Sequence, residues 1–226
     1  MGFLTAPVLS LVEGFGMTKD VASLALVTAT VVSFAADAPQ ARVAFDTSFG
    51  RIVVALDAER APVSVANFLR YLEDGHFDGT IFHKVVDGFV IQGGGFDAAM
   101  TERPTRAAIV NEAKNGLSNR IGTIAMAREA AIDSATAQFY INVTDNVALD
   151  HVEVPSQGIT LVRRDSEVRI GPDEAHRVFG YAVFGRVVEG MDVVERIRHV
   201  TTRTVGEFEN VPVDPVVINK AALLPS

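Results

Sequence analysis

The sequence predicts an all-β protein with two helices, its strands rolled into a closed antiparallel barrel. Three observations carry that reading. Short apolar runs of strand length recur along the chain, separated by Gly, Asn and Asp turns. Only two stretches show helical spacing of apolar residues. The 226 residues suit one domain with a full core, and closure is the arrangement that removes exposed sheet edges.

Each element follows in order. Arg42 to Asp46 and Arg51 to Leu56 read as two strands joined at Thr47-Ser48-Phe49-Gly50. Pro62 opens a helix, where its missing N–H is no loss. Val65, Phe68, Leu69 and Leu72 form its apolar face, and Gly75 suits its stop. Strands are expected at 81–86, 89–92, 122–127, 138–143 and 179–188. Asp87-Gly88 between the first two suits a type I′ hairpin turn, whose central residues both need φ > 0. A second helix is expected from Met191 to His199, with Val193, Val194 and Ile197 inward. Val216 to Leu223 closes the series as the last strand. Between 151 and 178, Ile159-Thr160-Leu161-Val162 and Glu167-Val168-Arg169-Ile170 flank a charged tip, which reads as an inserted hairpin. A solvated loop is the competing reading.

The N-terminus differs. Val21 to Phe34 is nearly all apolar or small, Lys19 precedes it, and Ser33-Phe34-Ala35 suits a signal-peptidase site. The run of about 14 residues falls short of the ~20 needed to span a bilayer. Residues 1–35 are therefore read as an extension ending in a cleaved export signal, with Met17 a candidate start, and 36–41 as a linker to a domain over 42–226. A retained anchor and a buried N-terminal helix compete with this, and without a cleaved signal the expected location is the cytoplasm.

Composition excludes several functions. A net charge of −8 argues against nucleic acid as a partner. With no cysteine there is neither a disulfide framework nor a thiolate metal site, and the five histidines lack metal-ligand spacing. Gly93-Gly94-Gly95 lacks the Lys-Ser/Thr that follows in a phosphate loop. Asn142-Val143-Thr144 fits a glycosylation sequon but lies in an expected strand.

The stretch from Ile81 to Phe96, IFHKVVDGFVIQGGGF, places one cation, Lys84, and one amide, Gln92, among Phe82, Phe89 and Val90. Such a surface can grip an apolar peptide segment and hold its backbone. The stretch closely resembles the motif of the cyclophilin-type peptidyl-prolyl cis-trans isomerases, Phe-His-Arg-Val-Ile-x-Gly-Phe-x-Ile-Gln-Gly-Gly. Two further segments match in order: GTIAMAR at 122–128 with DSATAQFYI at 133–141, and FGYAVFGRVVEGMDVV at 179–194. The likeness covers roughly residues 42 to 224 and has the tone of the bacterial, often periplasmic, branch.

The resemblance implies an eight-stranded closed barrel capped by a helix at each end. It places the catalytic cation on Lys84, with Gln92 binding substrate beside it. Phe89, Val90, Tyr140 and Leu149 would wall a proline pocket, and Tyr181 takes a place where many relatives carry His. Ala127, Arg128 and Gln138 fall on the side that grips the substrate backbone. His83, expected to face away from Lys84, is assigned a structural hydrogen bond. The sequence departs from the pattern at Lys84, where arginine is usual, at Tyr140, where phenylalanine is usual, and at Ala148, where a large aromatic is usual. The implied protein is a monomer acting without cofactor or metal on proline-containing, unfolded or partly folded polypeptides in the periplasm, with no stable membrane insertion once its signal is removed. The alternative is a weakly active or inactive prolyl-peptide-binding module of the same fold.

Overall fold

The computed structural model describes residues 40–163 and 166–225. The expected signal and most of the linker lie outside them. The described chain carries β1 (Arg42–Thr47), β2 (Gly50–Leu56), α1 (Pro62–Glu73), β3 (Lys84–Val86), β4 (Val90–Gly93), β5 (Thr123–Met126) and β6 (Phe139–Asn142). After these come β7 (Ile159–Arg163), β8 (Ser166–Ile170), β9 (Val183–Glu189), α2 (Met191–Arg198), β10 (Thr202–Val205), β11 (Phe208–Pro212) and β12 (Ile218–Leu223). Two 3₁₀ turns, Val147–Leu149 and Pro172–Val178, complete the list.

Eight strands form one antiparallel sheet in the order β12-β1-β2-β9-β5-β6-β4-β3. The expected closed barrel is corrected here: the sheet is strongly curled and its ladder is open, ending at β12 and β3. The cause is local. β3 begins only at Lys84 and has three residues. The chain just before it meets the chain near β12 through one isolated bridge, Ile81 to Val217. Phe82 N donates to Val216 O at 2.9 Å and Ile218 N to Thr80 O at 2.8 Å, so the seam is stitched without a continuous ladder.

The concave side holds the core. Phe45 from β1, Phe68 from α1, Phe77, Phe139 from β6 and Phe184 from β9 are all buried. Their rings contact edge-on or stacked, with Phe68 to Phe77 at 4.9 Å and Phe45 to Phe139 at 5.2 Å. The two α-helices press their apolar faces into this cluster from opposite ends of the strands. Asn67 of α1 reaches Thr136 O, just before β6. Arg198 of α2 reaches Val143 O, just after β6, and Arg196 reaches Phe49 O in the β1–β2 turn.

Two local readings change and one holds. The β3–β4 connection uses three residues, 87–89, closed by Phe89 N donating to Val86 O at 3.0 Å. Only Gly88 is left-handed there, at φ +70°, while Asp87 keeps a negative φ, so the turn is not type I′. The third residue removes the need for a second left-handed one. The β10–β11 hairpin was not anticipated, because Thr202 to Val205 is polar and Pro212 sits in its partner strand. The inserted hairpin is present as β7–β8, a separate two-stranded sheet pairing with nothing else. Its base is closed by Val152 N donating to Val178 O at 3.0 Å.

Candidate active site

Successive residues of a strand face opposite sides of a sheet. In β3 to β6 this sends Val85, Ile91, Ile124, Phe139 and Ile141 into the core. Their neighbours in sequence go to the outer face. Lys84 pairs with Gln92, Gln92 with Tyr140, Tyr140 with Ala125 and Ala125 with Val183, a lateral row across five strands. Val90, Ala125, Tyr140 and Val183 form a second, smaller buried cluster, backed by Leu117, Ala127, Leu149 and Tyr181.

This outer cluster is the floor of a pocket of about 270 Å³ lined by Lys84, Phe89, Val90, Gln92, Ala127, Arg128, Tyr140, Leu149 and Tyr181. All nine are residues singled out in the sequence. The remaining two, His83 and Gln138, line an adjoining groove of about 530 Å³ that shares Lys84 and Gln92. The eleven therefore form one continuous surface.

Each wall is held from behind. Gln92 Nε2 donates to Gln138 Oε1 at 2.9 Å. Gln138 packs closely over residue 95, which is glycine: a Cβ there would stand 2.6 Å from the Gln138 side chain. Arg128 donates from Nε to Gly180 O at 3.0 Å and stacks its guanidinium 4.7 Å from the Tyr181 ring centre. The Tyr140 hydroxyl, which had needed a partner, donates to Asn119 Oδ1 at 2.7 Å. Burial, then nearby Tyr181 and Asp150, push its pKa well above the usual tyrosine value, so it stays a neutral donor. Asn119 in turn donates from Nδ2 to Asp150 Oδ1 at 3.0 Å and to Tyr181 O at 3.4 Å. Asn146 donates to Phe89 O at 2.8 Å and to Asn142 Oδ1 at 2.7 Å. A buried polar layer thus fixes Phe89, Tyr140 and Tyr181 from beneath. Asn142 of the sequon is fully buried in it. Asn119, Asn146 and Asp150 were not singled out in the sequence, where isolated Asn and Asp residues read only as turns.

Two residues stand apart. Lys84 is half-buried; the lysine ion pairs among the described residues are those of Lys114 and Lys220, so its ammonium remains free at the pocket rim. His83 is 5 % exposed and packs its ring 4.7 Å from Phe96. Burial, and then the charge of Lys84, push its pKa down to about 4, against a smaller opposing effect of a hydrogen bond with the Ile81 backbone. Among the described residues its buried Nδ1 makes no hydrogen bond of normal geometry. His83 also lines the groove that Lys84 shares.

The outer face therefore offers an apolar pocket with a free cation and an anchored amide at its rim. Among the described residues no group of three or more His, Cys, Asp or Glu could hold a metal. Comparison with known proteins identifies the family. The family model for "Cyclophilin type peptidyl-prolyl cis-trans isomerase/CLD" matches residues 42–223. Peptidyl-prolyl cis-trans isomerase A of Dickeya dadantii is 44 % identical over 86 % of this chain and 94 % of its own length. Isomerase cyp18 of Streptomyces antibioticus is 47 % identical over 80 % and 98 %. A cyclophilin-type isomerase structure from Cryptosporidium parvum superposes with a TM-score of 0.61 at 20 % identity, covering 83 % of this chain and 99 % of that one, which speaks to fold. With sequence and fold in agreement over nearly all of the described domain, the chain belongs to the cyclophilin-type peptidyl-prolyl cis-trans isomerases.

Proposed function

We propose that the pocket of Phe89, Val90, Tyr140 and Leu149 grips the proline ring while Lys84 stabilises the twisted amide. The X–Pro bond crosses a barrier of ~20 kcal/mol and takes tens of seconds or longer unassisted. No covalent bond changes and no base is needed. As the amide twists, resonance is lost and the prolyl nitrogen gains a lone pair that accepts a hydrogen bond. A donor aimed at that nitrogen favours the twisted state over both planar isomers, and such differential binding lowers the barrier. Gln92, held by Gln138, binds the substrate backbone beside Lys84; Ala127 and Arg128 hold the chain on the other side.

The free ammonium of Lys84 at the rim of an apolar pocket is the observation that carries this reading. Lysine lacks the rigid fork of arginine, and a poorly aimed donor costs on the order of a hundredfold in rate. A protease-coupled isomerisation assay on a short X-Pro peptide tests it. Lys84→Ala should lower kcat/KM at least tenfold with little change in stability, and Lys84→Arg should raise it. Wild-type turnover equal to that of Lys84→Ala would favour a prolyl-peptide-binding module.

The working context we infer is export. The domain over 42–226, with its insertion at 151–178, follows an N-terminal segment of signal character and acts as a monomer on unfolded or partly folded polypeptides in the periplasm. The signal-like composition of Val21 to Phe34 supports this, as does the bacterial origin of the relatives. N-terminal sequencing of the protein from a periplasmic extract checks it; a cytosolic protein with an intact N-terminus would overturn it.

A further inference from the structure

The groove on the other side of Lys84 has a different chemistry from the pocket. Its rim carries Glu102, Glu129, Glu207 and Glu209. They come from three separate parts of the chain: the loop after β4, the loop after β5, and the tip of the β10–β11 hairpin. All four are exposed. The glutamate ion pairs among the described residues use Glu153, Glu174, Glu189 and Glu195, so these four carboxylates are left without a cation. Opposing them in the groove is one positive charge, Lys84, while His83 stays neutral near pH 7.

The floor is aromatic. Phe208 packs on Phe96 at 5.1 Å, edge to face, and Phe96 packs on His83. Phe208, between Glu207 and Glu209, is half-buried and keeps part of its surface free. Aromatic surface below and carboxylates above suit a long aliphatic stem that ends in a cation. His83 forms part of the same wall. It is nine-tenths buried, and among the described residues its Nδ1 makes no hydrogen bond of normal geometry.

The groove and the pocket share Lys84 and Gln92. The groove thus adjoins the pocket, where residues flanking a bound proline can reach it. We propose that the groove selects substrates carrying a lysine or arginine close to the proline, through Glu102, Glu129, Glu207 and Glu209. This rests on the reading of the pocket as the proline site. The selection adds to proline recognition and leaves the twisting step to Lys84.

The test is a peptide panel around one Ala-Pro core, with lysine, alanine or glutamate at each of three positions before and after the proline. kcat/KM is read for wild type and for the double variants Glu207→Gln/Glu209→Gln and Glu102→Gln/Glu129→Gln. At one position or more, lysine should exceed glutamate about tenfold at low salt, and the ratio should shrink toward one at 0.5 M salt as screening shortens to a few ångströms. Within each variant the lysine-to-alanine ratio should fall severalfold, the all-alanine peptide serving as internal reference. A ratio near one at every position in wild type overturns the proposal. So does a preference that both variants retain in full. Turnover of the all-alanine peptide with no charge preference rejects the groove alone, whereas no turnover on any peptide rejects the proline site and the groove together.

Discussion

The two faces of strands β3 to β6 are built from alternate residues of the same few segments, yet they do different work. The inner face is wholly apolar and fills with interlocking phenylalanine rings. The outer face buries only a small cluster, and beside it lie Lys84, Gln92 and a layer of hydrogen-bonded amides. The inner face gains from removing surface from water and tolerates no polar atom without a partner. The outer face uses a little of the same burial to hold polar groups still. Stability should therefore depend on the first and substrate binding on the second.

The strongest way to break this division is Phe139→Ala. Phe139 is fully buried against Phe45, Phe68, Phe77 and Phe82, and its loss should cost about 3–5 kcal/mol, seen as a lower denaturant midpoint. Catalysis per folded molecule should survive. A midpoint within error of wild type would show that the inner face does not dominate stability.

Acid probes the border between the faces. The folded pKa of His83 is lowered to about 4, while the unfolded value is about 6.5. Above the unfolded value both states are neutral and nothing is lost. As pH falls from about 6.5 to 4 the unfolded chain takes up a proton that the folded chain refuses, so stability drops, by about 3 kcal/mol in total. His76, half-buried with its pKa also lowered chiefly by burial, adds in the same direction. Urea unfolding at pH 7 and 4.5 should show His83→Phe losing much less than wild type. An identical loss would place the acid sensitivity elsewhere.

Tyr140→Phe sharpens the comparison on the outer face. It removes the hydrogen bond to Asn119, whose Oδ1 keeps a longer one from Asn142 at 3.3 Å. The expected cost is about 1 kcal/mol, with a KM rise of a few fold as the pocket wall loosens. An unchanged KM would mean that the polar layer does not position the wall.

The smallest effect on stability should come from the insertion. Replacing Val152–Val178 with a short Gly-containing turn removes a hairpin that pairs only with itself, and should change unfolding free energy by no more than about 0.5 kcal/mol. Because the insertion joins the neighbourhoods of Leu149 and Tyr181, catalysed refolding of a protein with a slow prolyl step should fall more than turnover of a tetrapeptide. Equal losses on both substrates would show that it props the pocket.

The sequence was informative where one periodicity decided the matter. The apolar spacing of Val65, Phe68 and Leu72, or of Val193, Val194 and Ile197, placed both α-helices to within a residue or two. It was silent where burial is local. Val90, Tyr140 and Val183 have the composition of core residues, and only the family resemblance placed the first two on a binding face. Openness of the sheet was not legible, because it depends on β3 starting late, at Lys84, instead of at Ile81. The β10–β11 hairpin was hidden by its polar strands, and with it went Glu207, Phe208 and Glu209. The polar layer under the pocket was hidden too, since Asn119, Asn146 and Asp150 acquire partners only in the folded chain.

The pairing of β1 with β12, Val43 opposite Leu223 and Ala44 opposite Ala222, sets an order of events during synthesis. The first described strand waits for the last one. Until residues near 218–223 have left the ribosome, β1 has only β2 beside it, and the seam partners at 216–218 do not yet exist. Contacts so distant along the chain form slowly. The nascent polypeptide therefore stays unlocked until the residues of β12 have emerged.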